Sequence, residues 1–381
     1  MHIVVAPDSF KGSISALGVA EAMKEGVLRV FPEASVTTIP IADGGEGTVE
    51  AMVEATGGEF RTSTVRGPLG RPVAARWGIL GDGKTGVIEM ATASGLPLLA
   101  KEERDPRRAS TYGTGELLLQ AMNAGLTTII MGIGGSATND GGTGFATALG
   151  VRFLDEAGKE LPPGGAALAN LHSIDLSGLD PRVRDLEILV ACDVDNPLCG
   201  ERGASAVFGP QKGATPDVVN ELDRALFCYG ELAARITGRN AMNEAGAGAA
   251  GGLGAGLLFF TPARLRPGID IVLETLRYEQ QVAGASFVIT GEGHSDFQTA
   301  FGKAPTGAAK VAKKYGIPVF CLSGGLGRGY QDMYAQGVDA ACVCLPHPMN
   351  LDECMAAGAG QVAEAAERLC RVIRAAWAIQ R

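Results

Sequence analysis

The sequence predicts an α/β protein built on a parallel sheet, and two observations carry that prediction. Short apolar runs that end in glycine or an acid are typical of parallel strands buried on both faces. Apolar residues at helical spacing lie between many of these runs and again near the end of the chain. Strand, loop and helix in alternation define the α/β class. The apolar runs are HIVVAPD, SVTTIPIADGG, TTIIMGIGG, EILVACDVD, SFVITGEG and IPVFCLSGG.

The middle of the chain follows a different pattern. The stretch RTSTVRGPLGRPVAARWGILGDGKTGVIEMA alternates apolar and polar residues, with turn signals at Gly-Pro and Asp-Gly. This pattern is typical of antiparallel hairpins. We therefore expect residues 61–269 to form an inserted second domain with antiparallel pairing, and residues 1–60 and 270–381 to complete one parallel-sheet domain.

Composition narrows the class of partner. The 381 residues include 33 Lys and Arg against 42 Asp and Glu, and this net charge of −9 argues against nucleic acid or an anionic membrane. The 55 glycines show no three-residue period, which excludes collagen. No apolar run approaches the length of a membrane span, and the first ten residues lack the basic flank of a signal peptide. The sequence predicts a cytoplasmic protein with a small-molecule partner.

Two literal motif matches fail in context. Residues 78–85, GILGDGKT, match the P-loop, but a strand-like run follows Thr85, and Asp82-Gly83 is a favoured hairpin dipeptide. Residues 246–251, GAGAAG, match the dinucleotide-binding pattern, but the segment before them does not read as a strand. We interpret this second match as a tightly packed, glycine-rich start of a helix or loop.

Polar residues that directly follow predicted strands are the first candidates for function, because open α/β sheets bind ligands where their strands end. In the segment 8–15, Ser9 and Lys11 precede a helix that Ser13 or Ser15 could cap. Lys11 is typical of a phosphate or carboxylate ligand, although a solvated lysine beside a plain cap fits the same pattern. Four acids follow predicted strands: Asp8, Asp43, Asp193 and Glu292.

Residues 132–144, GIGGSATNDGGTG, form the loop with the highest density of glycine. Its glycines let the backbone approach a ligand, and its polar side chains supply hydrogen bonds, as in loops that cradle phosphates. The residues concerned are Gly134, Gly135, Gly141 and Gly142, with Ser136, Thr138 and Asn139.

Two acidic segments suggest a cation. Asp193 and Asp195 stand two apart at the end of a predicted strand, so their like charges would crowd one face unless a divalent cation relieved them. An Asx turn into Asn196-Pro197 is the alternative. Asp43, with Glu46 three residues later, fits either catalysis or a capping box.

The segment 291–303 adds further polar residues after a buried strand: Glu292, Asp296, Gln298, Thr299 and Lys303. Glycine-rich loops, paired acids and loop lysines without a P-loop together predict magnesium-dependent phosphoryl transfer to a small acceptor.

The same loops resemble those of the bacterial type-1 glycerate kinases, in the same order, from residue 1 to about residue 350. The stretch 191–214 is the most specific. The resemblance implies ATP-dependent phosphorylation of D-glycerate, with the 2-phosphate as product and Mg²⁺ as metal. It also implies a flavodoxin-like domain with a second α/β domain inserted. The matching segments are DSFKGS, IADGGEGT, YGTGELL, GGSATNDGG, ACDVDNPLCGERGASAVFGPQKGA, GAGAAGGLGAGL and GEGHSDFQTAFGKAP.

This resemblance lets us assign expected roles to the candidate residues. We expect catalysis from Asp193, Asp296 or Asp43, and magnesium binding from Asp193, Asp195 and Glu292. We expect substrate binding from Ser9, Lys11 and His294, with Ser9 and Lys11 facing the glycerate carboxylate. Nucleotide phosphates are assigned to the loop at 132–144 and a lysine: Gly134, Gly135, Ser136, Thr138, Asn139 and Lys303.

Three questions stay open at this point. The family usually has arginine and an aliphatic residue where this chain has His294 and Ser295, so the substrate range is in question. We expect a glycerate kinase whose interdomain cleft closes over its substrates. There are two alternatives: a kinase for another hydroxy acid, and a catalytically silent metabolite sensor. No heptad pattern of apolar residues indicates an interface between copies of the chain. The sequence therefore leaves open whether the protein is a monomer or a homo-oligomer.

Overall fold

The computed structural model describes residues 1–379, which form two compact units. The first unit comprises Met1–Asp43, Glu50–Gly57 and the chain from Ile269 onward. The second comprises Gly44–Val49 and Gly58–Gly268. Among the described residues, no helix is long and apolar enough to cross a membrane.

The strands in chain order are β1 (His2–Pro7), β2 (Ser35–Thr38), β3 (Glu59–Arg66), β4 (Pro72–Ile79), β5 (Thr85–Glu89), β6 (Thr128–Gly132), β7 (Arg152–Leu154), β8 (Ser173–Asp175), β9 (Glu187–Ala191), β10 (Arg264–Arg266), β11 (Phe287–Ser295), β12 (Val319–Leu326) and β13 (Ala340–Val343). The α-helices are α1 (Ala16–Val30), α2 (Thr48–Thr56), α3 (Ala91–Ser94), α4 (Tyr112–Asn123), α5 (Thr143–Ala148), α6 (Ala204–Phe208), α7 (Pro216–Thr237), α8 (Ala249–Phe260), α9 (Gly268–Thr275), α10 (Tyr278–Val282), α11 (Ala304–Lys313), α12 (Leu351–Ala356) and α13 (Gly358–Ile379).

The sheet of the first unit is parallel throughout. Its strand order is β13-β12-β11-β1-β2, and β1 pairs with β11 on one side and with β2 on the other. Numbered within the unit, this is the flavodoxin-like order 2-1-3-4-5, whose ligand crevice lies at the carboxyl ends of the first and third strands. Here those strands are β1 and β11, so the fold predicts a site where these two strands end.

Helices α1 and α13 cover this sheet with the residues predicted from helical spacing. Val19, Met23 and Val27 of α1 pack with Val362 and Leu369 of α13 in one buried cluster. Burying aliphatic side chains of this size stabilises the fold by about 1.5–3 kcal/mol each. The core therefore fixes α1 against the sheet and with it the loop that leads out of β1.

The start of α1 resolves the choice between two predicted caps. The side chain of Ser15 accepts a hydrogen bond from the backbone N–H of Gly18 at 3.2 Å and is the N-cap. Ser13 instead donates its hydroxyl hydrogen to the carbonyl of Met355 at 2.8 Å. The loop between β1 and α1 is thus held at both serines.

The second unit contains a mixed sheet, as the alternating middle of the chain predicted. Its strand order is β10-β9-β6-β5-β4-β3, with β3–β4 and β4–β5 antiparallel and the other pairs parallel. The P-loop match falls in the tight turn between β4 and β5, where the Asp82 carboxylate accepts from the N–H groups of Lys84 and Thr85. Strand β5 follows this turn, whereas a P-loop is followed by a helix. The prediction that this segment is not a P-loop is therefore confirmed.

Candidate active site

A cavity of about 630 Å³ lies in the first unit at the carboxyl ends of β1, β11 and β12. It occupies the crevice that the strand order predicts. Seven residues predicted from the sequence line it, together with Asp8, which follows β1 directly. These eight polar residues are Asp8, Ser9, Lys11, Asp43, Glu292, His294, Asp296 and Lys303, and Ser13 and Gln361 add to the polar lining.

Asp8 is the most deeply placed of these acids, with 6% of its surface exposed. Its carboxylate accepts a hydrogen bond from the N–H of Ser9 at 2.6 Å. Burial raises the pKa of Asp8 to about 7, and the charges of Asp43 and Glu292 act in the same direction, against the N–H of Ser9 and the charge of Lys11. A carboxyl group with a pKa near neutrality is typical of proton-transfer sites.

Glu292 is held in a fixed orientation by hydroxyl groups. Its Oε1 accepts hydrogen bonds from Ser295 Oγ at 2.8 Å and from Thr299 Oγ1 at 2.6 Å. Ser295 Oγ also lies 2.6 Å from Ser323 Oγ on β12. Burial raises the pKa of Glu292, while the two hydroxyl donors and Lys303 lower it. Ser295, which departs from the family pattern, therefore orients an acid of the cavity.

Asp296, His294 and Lys303 also line the cavity. Asp296 is the N-cap of a short 3-10 helix, and its Oδ1 accepts from the N–H of Gln298 at 2.8 Å. His294 lies on β11 and is exposed. Lys303 is the N-cap residue of α11, so its backbone lies at the positive end of that helix.

The glycine-rich loop at 132–144 belongs to the second unit, and only part of it is open. Gly134 and Gly135 are exposed, whereas Thr138 and Asn139 are fully buried. Thr138 Oγ1 donates to the carbonyl of Ala250 at 3.3 Å, and Asn139 Nδ2 donates to the Ser205 hydroxyl at 2.9 Å. The expectation that Thr138 and Asn139 face nucleotide phosphates is therefore wrong, because both side chains point into the unit.

Two glycines of the same loop are required by packing. Gly141 and Gly142 have φ angles of +64° and +76°. A Cβ on Gly141 would lie 2.6 Å from the Tyr229 ring, and one on Gly142 would lie 3.1 Å from the Gly256 Cα. By contrast, a Cβ on Gly134 would have no neighbour closer than 3.9 Å. The open backbone that a phosphate could approach is limited to Gly134 and Gly135.

Two buried ionisable residues that the sequence patterns did not reveal, Lys212 and Asp140, lie at this loop. Lys212 is 1% exposed, and its Nζ donates to Ser136 Oγ at 2.7 Å and to the Thr138 carbonyl at 2.6 Å. Burial lowers the pKa of Lys212 to about 7, and the charge of Asp140 opposes that shift. Burial also raises the pKa of Asp140, against hydrogen bonds that include two from Thr111. Through its hydrogen bonds to Ser136 and Thr138, Lys212 holds the glycine-rich loop in place.

The acids after β9 do not form the pair that the sequence suggested. β9 ends at Ala191, so Asp193 and Asp195 lie in the following loop and share no strand face. Asp193 accepts from the N–H of Gly268 at 2.9 Å. Asp195 is exposed and forms an ion pair with Arg202 at 2.8 Å. The like-charge crowding expected of Asp193 and Asp195 is therefore wrong.

The capping-box alternative for Asp43 and Glu46 is also wrong, because α2 begins at Thr48. Asp43 instead lines the cavity beside Asp8. Within residues 1–379, no three His, Cys, Asp or Glu side chains are grouped so that they could hold a metal ion alone. Mg²⁺ usually takes one or two carboxylates and completes its shell with water and substrate phosphates. The neighbouring carboxylates of Asp8, Asp43 and Glu292 in this cavity fit that smaller demand.

The chain resembles known proteins over nearly its whole length. Residues 3–374 match the model of the glycerate kinase family. A glycerate kinase of Halalkalibacterium halodurans is 50% identical over 97% of both chains. A glycerate 2-kinase of Escherichia coli K12 is 51% identical over 93% of both chains.

A solved structure agrees with these sequence matches. The crystal structure of a candidate glycerate kinase 2 from Salmonella typhimurium LT2 is 46% identical, covers 99% of both chains and superposes with a TM-score of 0.91. The flavodoxin-like strand order and the acidic cavity thus occur in a chain whose sequence and fold both match one family. The protein belongs to the glycerate kinase family.

Proposed function

We propose that this protein transfers the γ-phosphoryl group of ATP to D-glycerate, at the 2-hydroxyl, to give 2-phosphoglycerate. Family membership supports a kinase with ATP and glycerate as its small-molecule partners. The 2-hydroxyl is supported by the relative named glycerate 2-kinase. The observation that carries the proposal is the convergence of Asp8, Lys11 and Lys303 in one cavity at the switch point of the sheet.

Ser9 and Lys11 bind the glycerate carboxylate in this proposal. A lysine ammonium and a hydroxyl are suitable donors for a carboxylate, and both residues follow β1 in the cavity lining. Asp8 then accepts the proton of the attacking hydroxyl, because it is the buried acid nearest to them in the chain. Asp296 is a weaker choice for this proton transfer, since its Oδ1 caps a helix.

Magnesium is proposed to bind at Asp43 and Glu292. Oε1 of Glu292 is occupied by two hydroxyl donors, which orients Oε2 for a cation. Bound Mg²⁺ would neutralise phosphate charge. Asp193 remains a predicted base or magnesium ligand, and Gly134, Gly135 and Ser136 remain predicted phosphate ligands alongside Lys303.

A coupled assay for ADP release tests the function. We expect release to require both D-glycerate and magnesium, and ³¹P NMR of the product to identify 2-phosphoglycerate. Faster turnover of another hydroxy acid would show that this acid, and not glycerate, is the substrate. Binding of ATP and glycerate without turnover would favour the sensor. Cytoplasmic location and oligomeric state stay predictions that fractionation and sedimentation can test.

A further inference from the structure

The cavity of the first unit is lined in part by apolar side chains that glycerate does not need. Glycerate carries a carboxylate and hydroxyls on a short carbon chain, so it offers almost no apolar surface. The volume of about 630 Å³ lies in the range of about 300–1,000 Å³ that is usual for pockets holding larger ligands. We call this group of side chains the apolar wall; it consists of Leu345, Met349, Leu351, Cys354, Met355 and Val362.

Several contacts hold the apolar wall in position. The Ser13 hydroxyl donates to the Met355 carbonyl at 2.8 Å, which ties α12 to the loop after β1. Gln361 Nε2 lies 3.1 Å from the Met349 sulfur. The Asn350 side chain caps α12. These contacts hold the apolar wall in a defined position in the cavity.

Leu351 is the most exposed side chain of the apolar wall, with 74% of its surface exposed. Its aliphatic surface is thus accessible to a ligand in the cavity. Lys303 lines the same cavity and is the N-cap residue of α11, a ten-residue helix whose N-terminus favours anionic groups. The cavity thus combines apolar side chains with a cation.

We propose, building on the kinase function above, that the apolar wall binds the adenine and ribose of ATP, with the phosphate chain directed toward Lys303. A nucleotide has matching chemistry, with a flat aromatic ring at one end and anionic oxygens at the other. Thioether and leucine side chains pack well against aromatic rings. The nucleoside site then belongs to the first unit and makes no use of Thr138 or Asn139.

The test compares ligands with and without a base. In the double variant Leu351→Ser/Met355→Ser, calorimetry should show the Kd of ADP raised at least about tenfold, since two apolar contacts are lost. The Kd of inorganic tripolyphosphate, which has no base, should change less than about twofold. Equal weakening of both ligands, or no change in either, would overturn the proposal.

Two control variants accompany this comparison. Leu351→Met keeps an apolar contact and should bind ADP like the native protein. Val372→Ser removes an exposed aliphatic side chain of α13 outside the cavity and should leave both Kd values unchanged. Loss of ADP affinity in Val372→Ser would show that the effect is unspecific and would contradict the proposal.

Binding is measured without turnover, so the two proposals fail separately. A protein that binds ADP through the apolar wall but does not phosphorylate glycerate refutes only the function. If the double variant does not fold, photolysis of native protein with 8-azido-ATP replaces it. Labelling should fall in residues 345–362, and labelling confined to residues 132–144 would overturn the site.

Discussion

The cavity of the first unit and the glycine-rich loop of the second unit both follow buried parallel strands, yet they differ in what their polar side chains do. In the cavity, Asp8, Lys11 and Lys303 converge on open space. In the loop, Thr138 and Asn139 make hydrogen bonds inside the unit. Glycine density alone therefore does not separate a ligand loop from a packed one. The position of a loop in the strand order is the better guide.

Among the variants that test this comparison, Asp8→Asn should cause the largest loss of activity. The amide cannot accept the hydroxyl proton, so we expect kcat/KM for glycerate to fall about 10²- to 10⁴-fold in the coupled assay. The fold should survive, because burial already disfavours the charge of Asp8. Asp332→Asn, at an exposed acid of the same unit, is the control. If Asp193→Asn abolished turnover and Asp8→Asn did not, the base would belong to the second unit.

Lys11→Ala should weaken glycerate binding selectively. Loss of a charge-assisted hydrogen bond, worth about 1.5–3 kcal/mol, predicts a KM for glycerate raised about 10- to 100-fold. The KM for ATP should change little, and Lys24→Ala on exposed α1 surface should change neither value. If only the KM for ATP changed, Lys11 would bind ATP and not glycerate.

Two glycine variants separate packing from binding within the loop. Gly142→Ala should lower the free energy of unfolding by about 1–3 kcal/mol, because its φ is +76° and its Cβ would meet α8. Gly134→Ala should stay within about 0.5 kcal/mol of the native protein. Urea unfolding gives both values. If Gly134→Ala also leaves the KM for ATP unchanged, the exposed part of the loop does not bind phosphates.

Lys212→Met should change how stability depends on pH. Below pH 7 the lysine is protonated in both folded and unfolded chains, and the cost of burying its charge is fully present. Between pH 7 and about 10 the folded lysine has lost its proton while the unfolded one, with a reference pKa of about 10.4, has kept it. Stability should therefore rise with pH, by at most about 1.4 kcal/mol per unit.

Urea unfolding between pH 7 and pH 10 measures this slope. The rise should be absent from Lys212→Met and present in Lys314→Met, which alters an exposed lysine. An identical slope in Lys212→Met would contradict the burial argument. Such a change concerns the second unit and should leave ligand binding at the apolar wall unaltered.

Local patterns predicted the α/β class and many of the polar residues that line the cavity. Ser9, Asp43 and Glu292 could be found because each lies directly after or at the end of an apolar run, and the end of a parallel strand is where such folds bind ligands. Helical spacing likewise predicted the buried faces of α1 and α13. Each of these inferences needs only neighbouring residues in the sequence.

The omissions and errors concern contacts between distant residues. Whether Lys212 is solvated or buried depends on Ser136 and Thr138, more than 70 positions away. The strand before Asp193 and Asp195 was predicted, but where it ends depends on its partners in the sheet. No local pattern carries that information.

The pairing of β1 with β11 has a consequence for biosynthesis. Ile3 lies opposite Phe287, so two neighbouring strands of the first sheet are 284 positions apart in the chain. Almost all of the second unit is the continuous segment Gly58–Gly268, which leaves the ribosome earlier. Domains generally fold as units during synthesis, and pairings of long sequence separation form late. The glycine-rich loop is thus available to fold first, while the acidic cavity must wait until the chain beyond Lys303 has emerged.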